Sequence, residues 1–208
     1  AYKVLQDTMA PERSFIDVTT PNGELAERYL THVCAGESEK AISLVRSAVD
    51  AGVSLRDAYI NVIQPVQQEV GRLWQINEIS VAQEHVATDI SRTLMSELRQ
   101  RFTPTHRRSQ HVLTACLGGE LHDMGARMVS DFLYLSGFRS TFTGANTPHR
   151  VIIDELGRRN VDVLALSATM TLQVRLAIEL IDMVRERYGT AVRVLVGGYA
   201  FNQYTSLW

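Results

Sequence analysis

The residues with the clearest chemical potential lie in one loop, in the stretch GGELHDMG from Gly118 to Gly125. His122 follows an apolar run that is typical of a β-strand, and Glu120 precedes it by two positions. A carboxylate at that spacing can accept a hydrogen bond from one imidazole nitrogen, which leaves the other nitrogen free to coordinate a metal. A lone loop histidine is more often held by local hydrogen bonds, so its surroundings must decide between these two interpretations.

The overall composition excludes several classes of function. The chain has 208 residues and is 45% hydrophobic, which is enough for one large domain or two small ones. Its 21 basic and 23 acidic residues leave a net charge of −2, so no broad positive field favours nucleic acid or an anionic membrane. No apolar run approaches the ~18 residues needed to span a bilayer. Cys34 and Cys116 are far apart in apolar stretches and are expected to be reduced core thiols of a cytoplasmic protein.

Residues 20–100 predict a four-helix bundle. Thr20 is the expected cap of the first helix, with Pro21 as its first helical residue. The third helix is expected to kink at Pro65, because proline removes a backbone donor. Two further helices are predicted to start at Ser54 and Ser80, because Asp57 and Gln83 follow these serines at the spacing of a capping box.

The pattern changes after a polar linker at residues 101–110, where short apolar strands alternate with helices. This alternation predicts a doubly wound, Rossmann or flavodoxin-like, parallel sheet over residues 111–208. A complete domain of this type has one more helix and strand, so we expect the chain to be part of a longer protein. The predicted strands are Val112–Leu117, Arg139–Phe142, Val161–Ser167 and Val192–Val196.

Other candidate residues follow the later strands at the same sheet edge as His122, which is where open α/β sheets bind ligands. Ser167 and Thr169 follow the third strand, and Gly197 and Gly198 follow the fourth. In the strand order 2-1-3-4, His122 and Ser167 flank the point where the order reverses. The two glycines would leave a slot without side chains, open to a long and flat group.

These elements together resemble the cobalamin-binding signature Asp-x-His-x-x-Gly, Ser-x-Leu/Thr, Gly-Gly. ELHDMG is followed after 41 residues by Ser167-Ala-Thr169 and after a further 27 residues by the two glycines. The resemblance implies that His122 is the lower axial ligand of cobalt and that the displaced nucleotide tail enters the slot. Glu120 stands where the family has aspartate, which changes the reach of the carboxylate. The cofactor-binding residues implied in this half are Glu120, His122, Asp123, Gly125, Ser167, Thr169, Gly197 and Gly198.

Two other uses of such a fold fit the residues less well. A phosphorylated receiver domain needs acidic residues after the first strand, and LTACLGG has none. A dinucleotide site needs glycines spaced as Gly-x-Gly-x-x-Gly, and Gly118, Gly119 and Gly125 lack that spacing.

The helical half contains Trp74 followed after nine residues by Glu84 and His85. This pattern resembles the cap of the CarH-type light-sensing cobalamin proteins. By resemblance, Trp74 covers the upper corrin face and the Glu-His pair contacts the adenosyl group of adenosylcobalamin, bound between the bundle and the α/β domain. The alternative is that Trp74 belongs to the bundle core and that the pair lies on a solvated face.

The resemblance leaves two functions open. One is a light sensor without enzymatic activity, in which photolysis changes conformation or oligomeric state in a homo-oligomer, either a dimer or a tetramer. The other is a methyl-carrying corrinoid protein of a methyltransferase system. Some related sensors also hold a bilin, and others have a DNA-binding module, for which the segment before residue 19 is too short. Gln75 replaces a histidine that binds cobalt in the best-known sensors after illumination.

Overall fold

The computed structural model describes residues 13–203, and the chain divides between Phe102 and Thr103 into two compact units. Most of the N-terminal segment considered for DNA binding, residues 1–12, lies outside the described range. Within that range, no helix is both long enough and apolar enough to cross a membrane.

Within the described residues, all regular elements of the first unit are helices, as the sequence predicts. Its core is formed by apolar side chains that recur at helical spacing, such as Tyr29, Val33, Leu94 and Leu98. Its elements are α1 (Gly23–Cys34), α2 (Ser38–Asp50), α3 (Leu55–Asp57), a π-helical segment (Ala58–Ile63), α4 (Gln64–Gln75) and α5 (Val81–Arg101).

The helix starts at the two serines are confirmed. Ser54 Oγ accepts a hydrogen bond from the amide of Asp57 at 3.0 Å. Ser80 Oγ accepts from the amide of Gln83 at 3.2 Å, and the Gln83 side chain accepts from the Ser80 amide at 2.9 Å. Both serines therefore satisfy amides that the first turn of a helix leaves without partners.

The predicted cap at Thr20 is wrong. Thr20 donates its hydroxyl to the carbonyl of Asp17 at 2.6 Å, so it belongs to a turn before the helix. Helix α1 begins at Gly23, after Asn22 in the left-handed conformation with φ of 68°. A Cβ at Gly23 would lie 2.2 Å from the Asp17 carbonyl, so this turn packs directly against the start of the helix.

The interruption expected at Pro65 takes the form of a widened turn. The π-helical segment Ala58–Ile63 runs directly into α4, and Pro65 lies at the first turn of α4. A proline has no amide hydrogen and its ring clashes with the preceding turn of a regular helix. The wider π turn accommodates the ring without ending the helical path.

The second unit is the predicted doubly wound domain. Its four parallel strands have the order β2-β1-β3-β4, the order for which His122 and Ser167 flank the reversal point. Gly197 is the last residue of β4, whereas the sequence predicted that this strand ends at Val196. The elements are β1 (His111–Cys116), α6 (Met124–Leu135), β2 (Arg139–Phe142), α7 (His149–Arg159), β3 (Val163–Ser167), α8 (Leu172–Tyr188), β4 (Arg193–Gly197) and α9 (Tyr199–Gln203).

Alternation along β1 assigns its side chains to two faces. Leu113 and Ala115 belong to the core cluster shared with α7 and α8. Val112 lies on the opposite face, in register with Ser140 of β2. Since Ser140 Oγ is 2.8 Å from Ser130 Oγ of α6, that helix covers this second face. The carboxyl ends of all four strands meet at one edge, where the candidate site lies.

Candidate functional site

The structure brings His122 and Glu120 together in the loop between β1 and α6. Glu120 Oε1 accepts a hydrogen bond from the His122 amide at 2.8 Å and lies 2.7 Å from ring Nδ1. Because the carboxylate is an acceptor, Nδ1 carries the proton and Nε2 keeps its lone pair. The Glu120 side chain is fully buried, whereas 68% of the His122 side chain is exposed. The result is an oriented imidazole with a free nitrogen at the surface.

The second oxygen of Glu120 joins this loop to the one after β3. Glu120 Oε2 accepts from the Thr169 amide at 2.6 Å, so one carboxylate holds two of the predicted site loops. Burial alone raises the pKa of Glu120, but the hydrogen bonds from the His122 and Thr169 amides and the His122 ring outweigh it and hold the pKa below its ordinary value. Glu120 is therefore ionised at neutral pH, and its longer side chain reaches the histidine as an aspartate would.

Two amide side chains that the sequence interpretation missed complete this arrangement. Asn146 Oδ1 accepts from the Gly119 amide at 2.7 Å, and the backbone N–H of Asn146 donates to the Glu120 carbonyl at 2.8 Å. Gln173 Oε1 accepts from the amide of Thr169 at 3.1 Å. Asn146 follows β2 at the same sheet edge, so its position along the chain was a usable signal.

The predicted slot is present on the α6 face of the sheet. Cys116, Ser167 and Gly197 lie side by side at the ends of β1, β3 and β4, and their registers pair them directly. A Cβ at Gly197 would meet no atom within 4 Å, so the glycine leaves open space beside Ser167. Gly198 has φ of +100°, and a Cβ there would lie 2.3 Å from the Ala168 carbonyl. The first glycine therefore leaves room for a ligand, and the second permits the backbone turn.

Cys116 lies in the same row of strand-end residues as Ser167 and Gly197, whereas the sequence analysis assigned it only to the core. Burial raises the pKa of its thiol to about 12, and the charges of Asp123 and Glu120 act in the same direction. Cys116 consequently remains a thiol at neutral pH and does not compete with imidazole as a thiolate ligand. The other cysteine, Cys34, is only half-buried, so its assignment to the core was wrong.

Two further residues of the histidine motif lie at the start of α6. Asp123 is the buried N-cap residue of this helix. Gly125 lies in its first turn, and a Cβ at this position would meet nothing within 4 Å. The helix start therefore presents an open surface next to the His122 loop.

Large apolar side chains surround this edge of the sheet in exposed positions, a feature the sequence interpretation did not identify. They lie in the His122 loop, in and after the Thr169 loop, and just after Gly198. An apolar rim of this kind at one edge provides a surface for a flat, largely apolar molecule. The side chains are Leu121, Met170, Leu172 and Tyr199.

In the helical unit, Glu84 and His85 lie in the first turns of α5, and half-buried Trp74 lies at the end of α4 beside Gln75. Glu84 Oε1 accepts a hydrogen bond from Thr88 Oγ1 at 2.9 Å, with 27% of its side chain exposed. The His85 ring is 75% exposed, and its Nε2 lies 3.5 Å from Glu84 Oε2. Thr88 thus fixes the Glu84 carboxylate, which remains partly accessible to a ligand.

Comparisons with known proteins show which family the two units resemble. A family model described as a B12 binding domain matches residues 110–207, and a second model with the same description matches residues 25–99. Monomethylamine corrinoid protein 1 of Methanosarcina mazei is 23% identical over 85% of this chain and 84% of its own length. The HTH-type transcriptional repressor CarH of Myxococcus xanthus is 25% identical over 90% of this chain, which spans 62% of the repressor. The structure of the Methanosarcina barkeri monomethylamine corrinoid protein has the same fold, with 19% identity, a TM-score of 0.73 and coverage of 90% of this chain and 91% of its own.

The chain therefore belongs to the cobalamin-binding proteins built from a helical unit and an α/β unit, and its cofactor is a cobalt corrinoid. The residues present fit this group. The free Nε2 of His122 is a nitrogen donor suited to cobalt. The open space at Gly197 can receive a nucleotide tail, and the apolar rim can receive the corrin.

The two glycines give a paired prediction. Gly197→Val should fill the slot and weaken cobalamin binding, with little change in stability, because its Cβ meets open space. Gly198→Ala should instead lower the free energy of unfolding by about 1–3 kcal/mol, because its Cβ would clash with Ala168 in a left-handed turn. Cobalamin titration and urea unfolding of both variants measure the two effects. Equal loss of stability in both would contradict the assignment of Gly197 to the slot.

Proposed function

We propose that this chain is an adenosylcobalamin-binding light sensor that catalyses no reaction itself. The observation that carries the proposal is the half-buried carboxylate of Glu84, held by Thr88 and beside His85 in the helical unit. A carboxylate in this position accepts hydrogen bonds from hydroxyl groups, which the ribose of an adenosyl group offers and a methyl group lacks. Trp74 at the end of α4 provides an aromatic surface for the same ligand.

The residues have distinct roles in this proposal. His122 donates Nε2 to cobalt, and ionised Glu120 holds the ring in the required tautomer. The open space beside Ser167 and Gly197 receives the nucleotide tail. When bound, adenosylcobalamin supplies a cobalt–carbon bond that light can break. Without the adenosyl group, Glu84 and Trp74 would have no ligand to contact, which would favour a different conformation of the helical unit or a different association in a homo-oligomer.

A methyl-carrying corrinoid protein is the second candidate, and the relatives favour it. The monomethylamine corrinoid protein of Methanosarcina mazei matches this chain over nearly its whole length, whereas the chain spans 62% of the repressor CarH. In that case the protein would present cobalt to a partner methyltransferase. A methyl ligand would offer no hydroxyl to Glu84, whereas an adenosyl group would. The effect of Glu84 on ligand preference therefore distinguishes the methyl carrier from the light sensor.

Absorption spectra before and after illumination test the proposed function. We expect the purified protein to bind adenosylcobalamin in the dark, to lose its adenosyl spectrum in light and to change its elution volume. Demethylation of the methylcobalamin-loaded protein by a corrinoid methyltransferase, with no change of elution volume when the adenosyl form is illuminated, would instead establish the methyl carrier. A separate long-wavelength band in protein isolated from its host would identify a bilin as a second chromophore.

Gln75 gives a prediction for the illuminated state. A glutamine amide is a neutral oxygen donor and competes poorly for cobalt with imidazole. The illuminated wild type should therefore have one protein imidazole on cobalt and should exchange readily with fresh adenosylcobalamin. Gln75→His should add a second imidazole and slow this exchange. A two-imidazole spectrum in the wild type that persists in His85→Ala would contradict this prediction.

A further inference from the structure

A chain of polar side chains leads from Glu84 into the core of the helical unit. Thr88 Oγ1 is 2.9 Å from Glu84 Oε1 and 3.1 Å from Gln67 Oε1, so it bridges α5 and α4. Gln67 Nε2 donates to Ser91 Oγ at 2.8 Å. Ser91 Oγ in turn lies 3.0 Å from the hydroxyl of Tyr29 on α1, and both of these residues are fully buried. Three helices therefore contribute to one network that begins at the candidate ligand contact.

The core end of this network is satisfied. Ser91 donates its single hydroxyl hydrogen to the carbonyl of Ala87 at 3.0 Å. Its lone pairs accept from Gln67 Nε2 and from the Tyr29 hydroxyl. Gln67 Nε2 also lies 3.4 Å from the Ala87 carbonyl, which requires a donor and so fixes the orientation of the amide. Gln67 Oε1 consequently points towards Thr88.

The end of the network near Glu84 depends on Thr88. Thr88 has one hydroxyl hydrogen, yet it faces two acceptors, Glu84 Oε1 and Gln67 Oε1. Among the residues that the structure describes, Thr88 is the sole donor to Gln67 Oε1. A carboxylate oxygen is a stronger acceptor than an amide oxygen and is here also the nearer one, so Thr88 donates to Glu84 Oε1. A carboxylate has several lone pairs, so Glu84 can accept a further hydrogen bond from a hydroxyl of a ligand.

We propose that Thr88 is the positioning residue that makes the helical unit selective for an upper ligand with hydroxyl donors, such as a ribose. Thr88 donates its hydroxyl hydrogen to Glu84 Oε1 and contacts Gln67, so it fixes the carboxylate against the buried Gln67–Ser91–Tyr29 chain. A ligand hydroxyl can donate to the carboxylate in this fixed position, whereas a methyl group cannot. This inference rests on the proposed function, because it takes Glu84 as the contact for the upper ligand.

The test measures dark affinities for adenosylcobalamin and methylcobalamin in Thr88→Val, Thr88→Ser and a matched control, Thr31→Val. Thr31 is an exposed threonine of α1 whose hydroxyl bonds only within its own helix. Thr88→Val should reduce the preference for adenosylcobalamin by about fivefold to tenfold, which lies in the range for the loss of one ordinary hydrogen bond, because the Glu84 carboxylate itself remains. Its methylcobalamin affinity should stay within about twofold, as for a site away from that ligand. Thr88→Ser keeps the hydroxyl and should retain the preference, as should Thr31→Val.

The outcomes test the role of Thr88 and the proposed function separately. A wild type that prefers adenosylcobalamin and a Thr88→Val variant with the same preference would overturn the role of Thr88 and leave the light-sensor proposal intact. Equal weakening of both ligands in Thr88→Val would show that Thr88 acts only in folding, which also overturns the inference. A wild type without any preference would reject the proposed function, and the role of Thr88 with it.

Discussion

Replacing His122 with alanine is expected to lower corrinoid affinity by more than about 100-fold, since loss of a residue that merely supports a metal ligand already costs about 10- to 100-fold. The reason lies in the geometry of the ring. Nδ1 is held 2.7 Å from buried Glu120, and the remaining nitrogen has no other role among the contacts of the described residues. Titration with hydroxocobalamin measures the loss of affinity.

Spectroscopy distinguishes loss of the ligand from loss of the fold. Reduced, paramagnetic cob(II)alamin should show nitrogen coupling from a protein imidazole in the wild type and lose it in His122→Ala. His149→Ala is the matched control, because His149 is a half-buried histidine at the first turn of α7, at the same edge of the sheet. Unchanged coupling in His122→Ala, or its loss in His149→Ala, would refute the assignment of the lower ligand.

The sequence predicted the α/β unit well because its signals are local. Short apolar runs alternating with helical periodicity specify a parallel sheet, and the structure then gives the strand order that the sequence analysis took as a condition. His122 and Glu120 are two positions apart, so their contact also needed no long-range information. The sequence left open whether glutamate, in place of the family's aspartate, can contact the histidine. The 2.7 Å distance from Glu120 Oε1 to ring Nδ1 shows that it does.

The features that sequence reasoning missed depend on residues distant in the chain. The second oxygen of Glu120 binds the amide of Thr169, 49 positions away. Cys116 was assigned to the core because an apolar environment is the usual one for a free cysteine, and only strand register places it beside Ser167. The widened turn before Pro65 depends on how the helix accommodates the ring, which composition does not specify.

Glu84→Ala is expected to reduce the preference for adenosylcobalamin over methylcobalamin by about 10-fold or more. General corrinoid binding should be retained in this variant and in Trp74→Ala. A hydrogen bond to a charged group contributes about 1.5–3 kcal/mol, which corresponds to roughly 10- to 150-fold in affinity. Glu84→Gln keeps the shape with a neutral acceptor and should fall between the wild type and Glu84→Ala. Asp89→Asn, at an exposed carboxylate of the same helix, is the matched control.

Variants of Trp74 can distinguish a ligand contact from a role in folding. Because the side chain is half-buried, its truncation should lower the free energy of unfolding by less than the ~3–5 kcal/mol of a fully buried tryptophan. If Trp74 only packs in the helical unit, Trp74→Ala lowers stability and weakens all corrinoids alike, and Trp74→Phe restores much of both. If it covers an adenosyl group, the alanine variant loses adenosylcobalamin selectively. Equal discrimination between the two corrinoids by the wild type and by both alanine variants would favour the methyl carrier, because a site for a methyl group needs neither the carboxylate nor the indole.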